Sequence, residues 1–254
     1  MQIRVLGCSG GIGEGRHTTS FLLNEDVLID CGTGVTTLTH AELLRIDHVF
    51  LTHAHLDHIL CLPLLLDSCA GERARPLTIH ALPEVIEVLQ RDVFNWRVWP
   101  DFTCLPSVES PFCRFLPLDI GEILTVGAGK IIAVPAEHVV PAVGYLVQGP
   151  LASWLFSGDS CGHPGFWQAA ADVRGELHVV VECSFEDALR EIALAAKHYC
   201  ASTLAADLQQ LRVDAHLWVT HLKPGGEATI MSELTAHGVA QAMAALSPEQ
   251  LFDL

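Results

Sequence analysis

Basic residues and long apolar runs are both scarce in this sequence. Lys and Arg number 14 against 30 Asp and Glu, which gives a formal net charge of −16 at pH 7. Because polyphosphate chains and anionic lipid surfaces draw much of their protein affinity from Lys and Arg, this charge disfavours long nucleic acid and membranes as partners. The longest apolar run, residues 59–66, is far shorter than the roughly 20 residues of a membrane-spanning helix.

Paired cysteine motifs are also missing. The nine cysteines are odd in number, and no C-x-x-C pair occurs among them. Such a scattered set is typical of free thiols in a reducing compartment rather than of a disulfide framework. The first eleven residues, MQIRVLGCSGG, lack the apolar core of a signal peptide, so we expect a cytoplasmic protein.

Hydrophobic residues, by contrast, are abundant and ordered. They make up 50% of the 254 residues while 17% are charged, which excludes disorder and suits one globular domain over residues 1–254. Strand-like runs come first and helical patterns follow, twice along the chain. This order predicts an α+β fold, an αβ/βα sandwich in which two mixed β-sheets pack face to face with helices outside.

The individual elements follow from short periodic runs. The sequence predicts strands at residues 3–6, 19–23, 27–30, 48–51, 122–126, 130–134, 143–147, 153–156, 177–181 and 216–220. It predicts helices at residues 59–68, 84–94, 187–196, 202–211 and 228–236. Residues 95–118 hold four prolines and five aromatic residues, and we interpret this aromatic segment as a long irregular excursion.

One short segment carries most of the chemical information. Residues 52–58 read THAHLDH and place four potential metal ligands in six positions: His53, His55, Asp57 and His58. His53 and His55 are two residues apart, so their imidazoles project to the same side of an extended chain. Imidazole and carboxylate groups suit Zn²⁺. Because six residues cannot wrap one ion with all four groups, the segment indicates two adjacent ions.

The remaining ligands have to come from other parts of the chain. Three candidates follow predicted strands, namely His138, Asp159 and His221. Taken singly, such a histidine or aspartate is ordinarily a surface or turn residue. With the 52–58 segment present, each becomes a candidate ligand for the same centre.

Four motifs in this order resemble the metallo-β-lactamase superfamily: HAHLDH from residue 53, AEH from 136, SGDS from 157 and THLKPG from 220. The resemblance implies that one ion is held by His53, His55 and His138, that the other is held by Asp57, His58 and His221, and that Asp159 and a hydroxide bridge the two. Asp30, in the DCGTG segment, matches an acid that accepts the second N–H of a ligand histidine.

Other segments resemble the class II cyclic-nucleotide phosphodiesterases of that superfamily, namely HAHLDHI, EHVVPAVGYLV and VVECSFEDA. Glu182 and His198 match an acid and a histidine that this branch shares with tRNase Z. The resemblance implies that Asp57 orients the hydroxide, that His198 stabilises or protonates the departing oxygen, and that Glu182 holds His198 in register.

We therefore predict a metal-dependent hydrolase that converts a small 3′,5′-cyclic nucleotide to a nucleoside monophosphate. Its cofactors are two divalent ions, with Zn²⁺ expected and Mn²⁺ or Fe as alternatives. The expected partner is a small anionic phosphodiester, and the sequence leaves open whether the protein forms a homodimer. Two other activities also stay open: a tRNase Z-like endonuclease acting at RNA 3′ ends, and a thioester or lactam hydrolase of the same superfamily.

Overall fold

Two seven-stranded β-sheets form the centre of the computed structural model, which describes residues 1–239 and 243–254. The strands are β1 (Gln2–Gly7), β2 (Ser20–Leu23), β3 (Val27–Ile29), β4 (His48–Phe50), β5 (Leu77–Ala81), β6 (Cys113–Pro117), β7 (Ile123–Val126), β8 (Gly129–Pro135), β9 (Val143–Gln148), β10 (Ala152–Phe156), β11 (Glu176–Glu182), β12 (His216–Thr220), β13 (Met243–Ala245) and β14 (Leu251–Asp253). Their order is β14-β1-β2-β3-β4-β5-β6 in the first sheet and β13-β12-β11-β10-β9-β8-β7 in the second.

The helices cover the outer faces of the two sheets. They are α1 (His40–Leu43), α2 (Leu56–Ile59), α3 (Leu62–Cys69), α4 (Pro83–Val88), α5 (Pro164–Asp172), α6 (Arg190–Ala196), α7 (Ala201–Asp207) and α8 (Glu227–Ala236). Buried side chains of α3 and α4 pack on the first sheet, and those of α5, α7 and α8 pack on the second. None of the helices within the described residues combines the length and the apolar character needed to cross a membrane.

The inner faces of the sheets meet in a shared aromatic core. Phe21 of β2 contacts Trp154 of β10 edge-on, with ring centroids 5.0 Å apart. Phe50 of β4 meets Tyr145 of β9 in the same way at 5.8 Å. Both sheets contain parallel and antiparallel pairs. The predicted αβ/βα sandwich of two mixed sheets is therefore confirmed.

Most predicted strands and helices are present with small shifts at their ends, and β12 matches its predicted bounds. Five predictions need correction. The helix predicted at 59–68 overlaps the last residue of α2 and, after a break at residues 60–61, continues as α3. The helices predicted at 84–94 and 202–211 are α-helical only as far as the ends of α4 and α7, and they continue as a π-helical turn, Leu89–Val93, and a 3₁₀ turn, Leu208–Gln210. The helix predicted at 187–196 begins as a 3₁₀ turn, Asp187–Leu189. The aromatic segment 95–118 is not irregular throughout, because its last part forms β6 and pairs in parallel with β5.

Strand direction explains where the functional side chains meet. In the second sheet β9 is antiparallel to both β8 and β10, so β8 and β10 run the same way, and β11 and β12 run parallel to β10. Their carboxyl ends therefore share one edge of that sheet, which is where loops in such sheets build binding sites. The segments that follow β8, β10 and β12 all begin at this edge.

Candidate metal centre

The THAHLDH segment leaves the end of β4 and turns into a short helix. His53 and His58 are fully buried, whereas Asp57 keeps 28% of its side-chain surface exposed. His55 is extended, with φ −70° and ψ 148°, and is the residue that precedes α2. The first turn of α2 then carries Asp57 and His58. A strand end followed at once by a helix thus directs all four predicted ligands to one side.

The three other predicted ligands come from the shared edge of the second sheet. His138 lies beyond β8, Asp159 beyond β10 and His221 directly after β12, and all three are buried. His221 Nε2 is 3.2 Å from Asp57 Oδ2, and His138 Nε2 is 3.2 Å from His55 Nδ1. The structure therefore brings together side chains that are separated by more than 160 positions in the sequence.

The seven side chains form two groups that share one member. One group contains His53, His55, His138 and Asp159, and the other contains Asp57, His58, Asp159 and His221. Within each group the potential ligand atoms all lie within 4.8 Å of one another. Asp159 belongs to both groups, which is the arrangement implied by the resemblance. Their roles as ligands stay predictions.

Buried atoms without hydrogen-bond partners show that these residues fit divalent cations. His53 Nε2, His58 Nε2 and Asp159 Oδ1 are buried and have no such partner among residues 1–239 and 243–254. His58 Nε2 is 3.3 Å from Asp159 Oδ1, and His53 Nε2 is 3.7 Å from Asp159 Oδ2. A buried polar atom left unpaired costs about 1–3 kcal/mol. Imidazole nitrogens and a carboxylate that converge in this way are a donor set suited to Zn²⁺ or a similar ion.

The outward nitrogen of each buried imidazole is held by an oxygen. His58 Nδ1 is 2.7 Å from Asp30 Oδ2, and His53 Nδ1 is 3.0 Å from Thr52 Oγ1. His138 Nδ1 is 3.2 Å from the main-chain oxygen of Lys197. These oxygens fix the ring orientations and place the protons on Nδ1, which leaves Nε2 free to bind a cation.

Burial and mutual charge shift the pKa values of these groups towards ligating forms. Burial lowers the pKa of His53 well below its ordinary value, and it also lowers the pKa of His138, so both rings are neutral. Burial alone would raise the pKa of Asp159, but the charges of His221 and His58 bring it well below its usual range. Neutral imidazoles and an ionised carboxylate are the forms that bind a divalent ion.

His58 behaves differently because it lies between two carboxylates. Burial alone would lower its pKa, but the charges of Asp159 and Asp30 and the hydrogen bond to Asp30 raise the pKa well above the ordinary value. The ring therefore carries a proton when no cation competes for Nε2. Binding of an ion at this group must displace that proton.

Glu182 and His198 form a buried pair beside the two groups of predicted ligands, which are called the metal-ligand groups below. His198 Nδ1 is 2.7 Å from Glu182 Oε1. The His198 ring lies 4.9 Å from the ring of His138 and 5.6 Å from the ring of His221, measured between centroids. Burial alone would lower the pKa of His198, but the charge and hydrogen bond of Glu182 raise it. The carboxylate of Glu182 thus favours the protonated form of an imidazole at the edge of the centre.

Several residues around the centre adopt backbone conformations that glycine alone adopts without strain. Asp30, Lys197 and His221 have φ values of 58°, 53° and 61°. A side chain in this left-handed region costs of order 1–3 kcal/mol and persists where the surrounding structure enforces it. Each of the three supplies an atom to the centre, His221 as a predicted ligand and the other two as acceptors for the predicted ligands His58 and His138.

Two contributing hydroxyl groups were not predicted as site residues. Thr52 Oγ1 lies 2.8 Å from Asp30 Oδ2 as well as near His53. Ser184 Oγ lies 2.9 Å from His221 Nδ1. Thr52 directly precedes the predicted ligand His53, and Ser184 lies two residues after Glu182. A threonine or serine at such a place has no distinctive sequence pattern that would have identified it.

Replacing Asp30 by asparagine is expected to weaken metal binding. The change keeps the side-chain size and a residue type that tolerates left-handed φ, but it removes the charge that faces His58 Nδ1 and Thr52 Oγ1. Removing such a supporting carboxylate typically costs about 10–100-fold in metal affinity. Titration of Zn²⁺ against a chromophoric chelator measures the loss. Asp26→Asn, in the turn between β2 and β3, is the control, and equal affinities for the two variants would contradict the assigned role.

The sequence matches a known protein family and a group of curated relatives. A family model described as the beta-lactamase superfamily domain matches residues 25–251. Ribonuclease BN of Escherichia coli is 31% identical over 163 residues, covering 58% of this chain and 50% of that protein. The chain thus spans about half the length of the curated relatives it matches.

Solved structures show a similar fold over the whole chain. Yeast PDE1 superimposes with a TM-score of 0.82 at 19% sequence identity, covering 100% of this chain and 99% of that chain. The short form of human tRNase Z gives a TM-score of 0.70, also at 19% identity, with coverage of 100% and 99%. At such identities the likeness concerns the fold alone.

Proposed function

The chain belongs to the β-lactamase superfamily of metal-dependent hydrolases, and from this premise we propose that it is a dinuclear phosphodiesterase acting on a small 3′,5′-cyclic nucleotide. The observation that carries the proposal is the Glu182–His198 pair beside the metal-ligand groups. Cleavage of a phosphodiester expels an alkoxide, which needs a proton donor. Hydrolysis of a thioester or a lactam does not require a histidine at this place.

Asp57, His198 and Glu182 have different roles in the proposed hydrolysis. Two divalent ions, when bound by the seven predicted ligands, supply Lewis acidity and make water a stronger acid. Asp57, whose carboxylate is partly exposed, is placed to orient the attacking water and take its proton. As the phosphorus–oxygen bond breaks, His198 Nε2 gives its proton to the ribose oxygen. Glu182 accepts the Nδ1–H of His198, which leaves Nε2 as the ring nitrogen that can donate to the leaving oxygen.

A cavity next to the centre supports a small substrate. Its volume is ≈ 740 Å³, and it is lined by His138 together with apolar residues such as Leu82 and Val139. That volume falls in the usual range of pockets for small molecules, about 300–1,000 Å³. Glu84 and Asp119 also line it, together with Glu137, whose carboxylate pairs with Lys197 of the same wall. Such walls disfavour further phosphates, so a substrate with one phosphodiester fits better than a polynucleotide.

Purified protein loaded with Zn²⁺ or Mn²⁺ is expected to release nucleoside monophosphate from at least one 3′,5′-cyclic nucleotide. The product is measured by chromatography over a panel of purine and pyrimidine cyclic nucleotides. Chelator treatment should abolish the release, and returning the metal should restore it. Metal-loaded protein that hydrolyses bis-p-nitrophenyl phosphate but leaves the whole panel intact would show that the substrate is a different phosphodiester.

The second candidate is an endonuclease acting at RNA 3′ ends. The match to ribonuclease BN favours it, whereas the net charge of −16 opposes it, because RNA binding needs basic surface. A precursor-tRNA cleavage assay, run beside the cyclic-nucleotide panel at the same enzyme concentration and at low salt, separates the two activities. The acidic surface predicts that precursor tRNA binds weakly.

A further inference from the structure

A serine hydroxyl joins the metal-ligand groups to the Glu182–His198 pair. Ser184 is fully buried, and its Oγ lies 2.9 Å from His221 Nδ1, 3.1 Å from Glu182 Oε2 and 3.1 Å from His198 Nδ1. We propose that Ser184 is a positioning residue that holds the predicted ligand His221 and the carboxylate of Glu182 in one hydrogen-bonded array. The proposal rests on the proposed metal and proton-donor roles of these residues.

The main chain fixes the place of this hydroxyl. β11 ends at Glu182, and the next amide, of Cys183, donates to the main-chain oxygen of Thr220 over 3.0 Å. The amide of Ser184 donates to the main-chain oxygen of Tyr199 over 3.1 Å. The serine is therefore tied to the end of β12 on one side and to the segment before α7 on the other.

The donors and acceptors can be assigned from the surroundings of each ring. His221 Nε2 faces the ligand group, 3.2 Å from Asp57 Oδ2 and 3.4 Å from Asp159 Oδ2. To bind a cation there, Nε2 must offer its lone pair, so the ring proton is on Nδ1. That N–H then donates to Ser184 Oγ. The serine O–H in turn donates to Glu182 Oε2.

The second oxygen of Glu182 completes the array. Glu182 Oε1 accepts from His198 Nδ1 over 2.7 Å and from the amide of Ser160 over 3.1 Å. Both carboxylate oxygens are thus engaged, and the side chain has one orientation available. A displacement of His221 therefore shifts Ser184 and Glu182, and with them His198, because Ser184 and Glu182 are fully buried and hydrogen-bonded on both sides.

Removing the hydroxyl has two consequences that differ from a loss of packing. The buried Nδ1–H of His221 loses its acceptor, which weakens the orientation of a ligand for one of the two ions. Glu182 Oε2 loses its donor, which loosens the grip on His198. Outer hydrogen bonds of this kind change metal affinity by about 10–100-fold.

Three variants distinguish the effect of losing the hydrogen bonds of Ser184 from the effect of losing its side-chain volume. Ser184→Ala deletes the hydroxyl, and Ser184→Cys restores volume with a thiol that is a weak donor and acceptor. Ser153→Ala, on β10, deletes another buried serine hydroxyl at a place outside the centre. The full-length protein is stripped of metal, and Zn²⁺ is titrated back in competition with a chromophoric chelator, with thermal unfolding of the metal-free forms recorded in parallel.

We expect Ser184→Ala and Ser184→Cys to lose about tenfold or more in affinity for one of two Zn²⁺ ions, while Ser153→Ala binds both as the native protein does. Native affinity in Ser184→Ala, or its full recovery in Ser184→Cys, would overturn the proposal. If metal-free Ser184→Ala unfolds on purification, the cysteine variant decides the question. A native protein that fails to bind two ions overturns this proposal together with the dinuclear centre, whereas an inactive cyclic-nucleotide panel overturns only the proposed substrate.

Discussion

Replacing Asp159 by asparagine is expected to lower hydrolysis by at least about 10³-fold and to reduce the bound metal below two ions per chain. Asp159 directs Oδ1 towards His58 Nε2 at 3.3 Å and Oδ2 towards His53 Nε2 at 3.7 Å. Asparagine has one oxygen, so it can serve one group at most. Loss of the Lewis acid removes several kcal/mol of transition-state stabilisation, which corresponds to a factor of this size.

Elemental analysis of dialysed protein and turnover of bis-p-nitrophenyl phosphate measure the two effects of Asp159→Asn together. Asp214→Asn changes the same residue type at an exposed position and should leave both quantities as they are. Two firmly bound ions in Asp159→Asn, with turnover near the native value, would show that this carboxylate is not shared between the groups.

His198→Ala is expected to slow hydrolysis in a way that depends on the leaving group. For a cyclic nucleotide, whose ribose oxygen leaves as a strong base, we expect kcat to fall by about 10²–10⁴-fold, the usual contribution of a general acid. For bis-p-nitrophenyl phosphate, whose nitrophenolate leaves without a proton, the fall should be below about tenfold. The metal content should stay at two ions, because His198 belongs to neither ligand group.

His216→Ala serves as the matched control, since that histidine lies on β12 with 62% of its side chain exposed. The comparison also distinguishes the open alternatives. An equal loss for both substrates would remove the proton-donor role of His198. Native turnover of a thioester by the variant, combined with inactivity of the native protein towards phosphodiesters, would instead favour the thioester hydrolase.

The candidate site was largely predictable because its signal is local and its order is fixed. Four of seven predicted ligands lie within residues 53–58, and the other three follow strands that the period-two pattern predicts. Strand ends in one sheet layer converge, so the sequence was enough to propose the centre. The sequence could not show the hydroxyls of Thr52 and Ser184, because a threonine or serine beside a strand has no distinctive pattern.

The fold was predicted in class but not in every element. β6 was missed because the prolines of segment 95–118 argue against a strand, yet β6 is the edge strand of its sheet, where proline is tolerated. β14 was missed because its pairing with β1 joins the two ends of the chain. α5 was missed despite Pro164 in its first turn and the cap from His163, which are recognisable start signals.

The left-handed backbone conformations of Asp30 and His221 are a strained feature that the protein keeps for the sake of the side chains at these positions. Glycine at either position would relieve the steric conflict of a left-handed residue, but it would also remove the buried hydrogen bonds that the present side chain makes. Each such exchange would delete a group that orients or binds a cation. Variants that are selected only for thermal stability should therefore be assayed for hydrolysis before they are used as starting points, because a more stable variant with glycine at these positions is expected to be inactive.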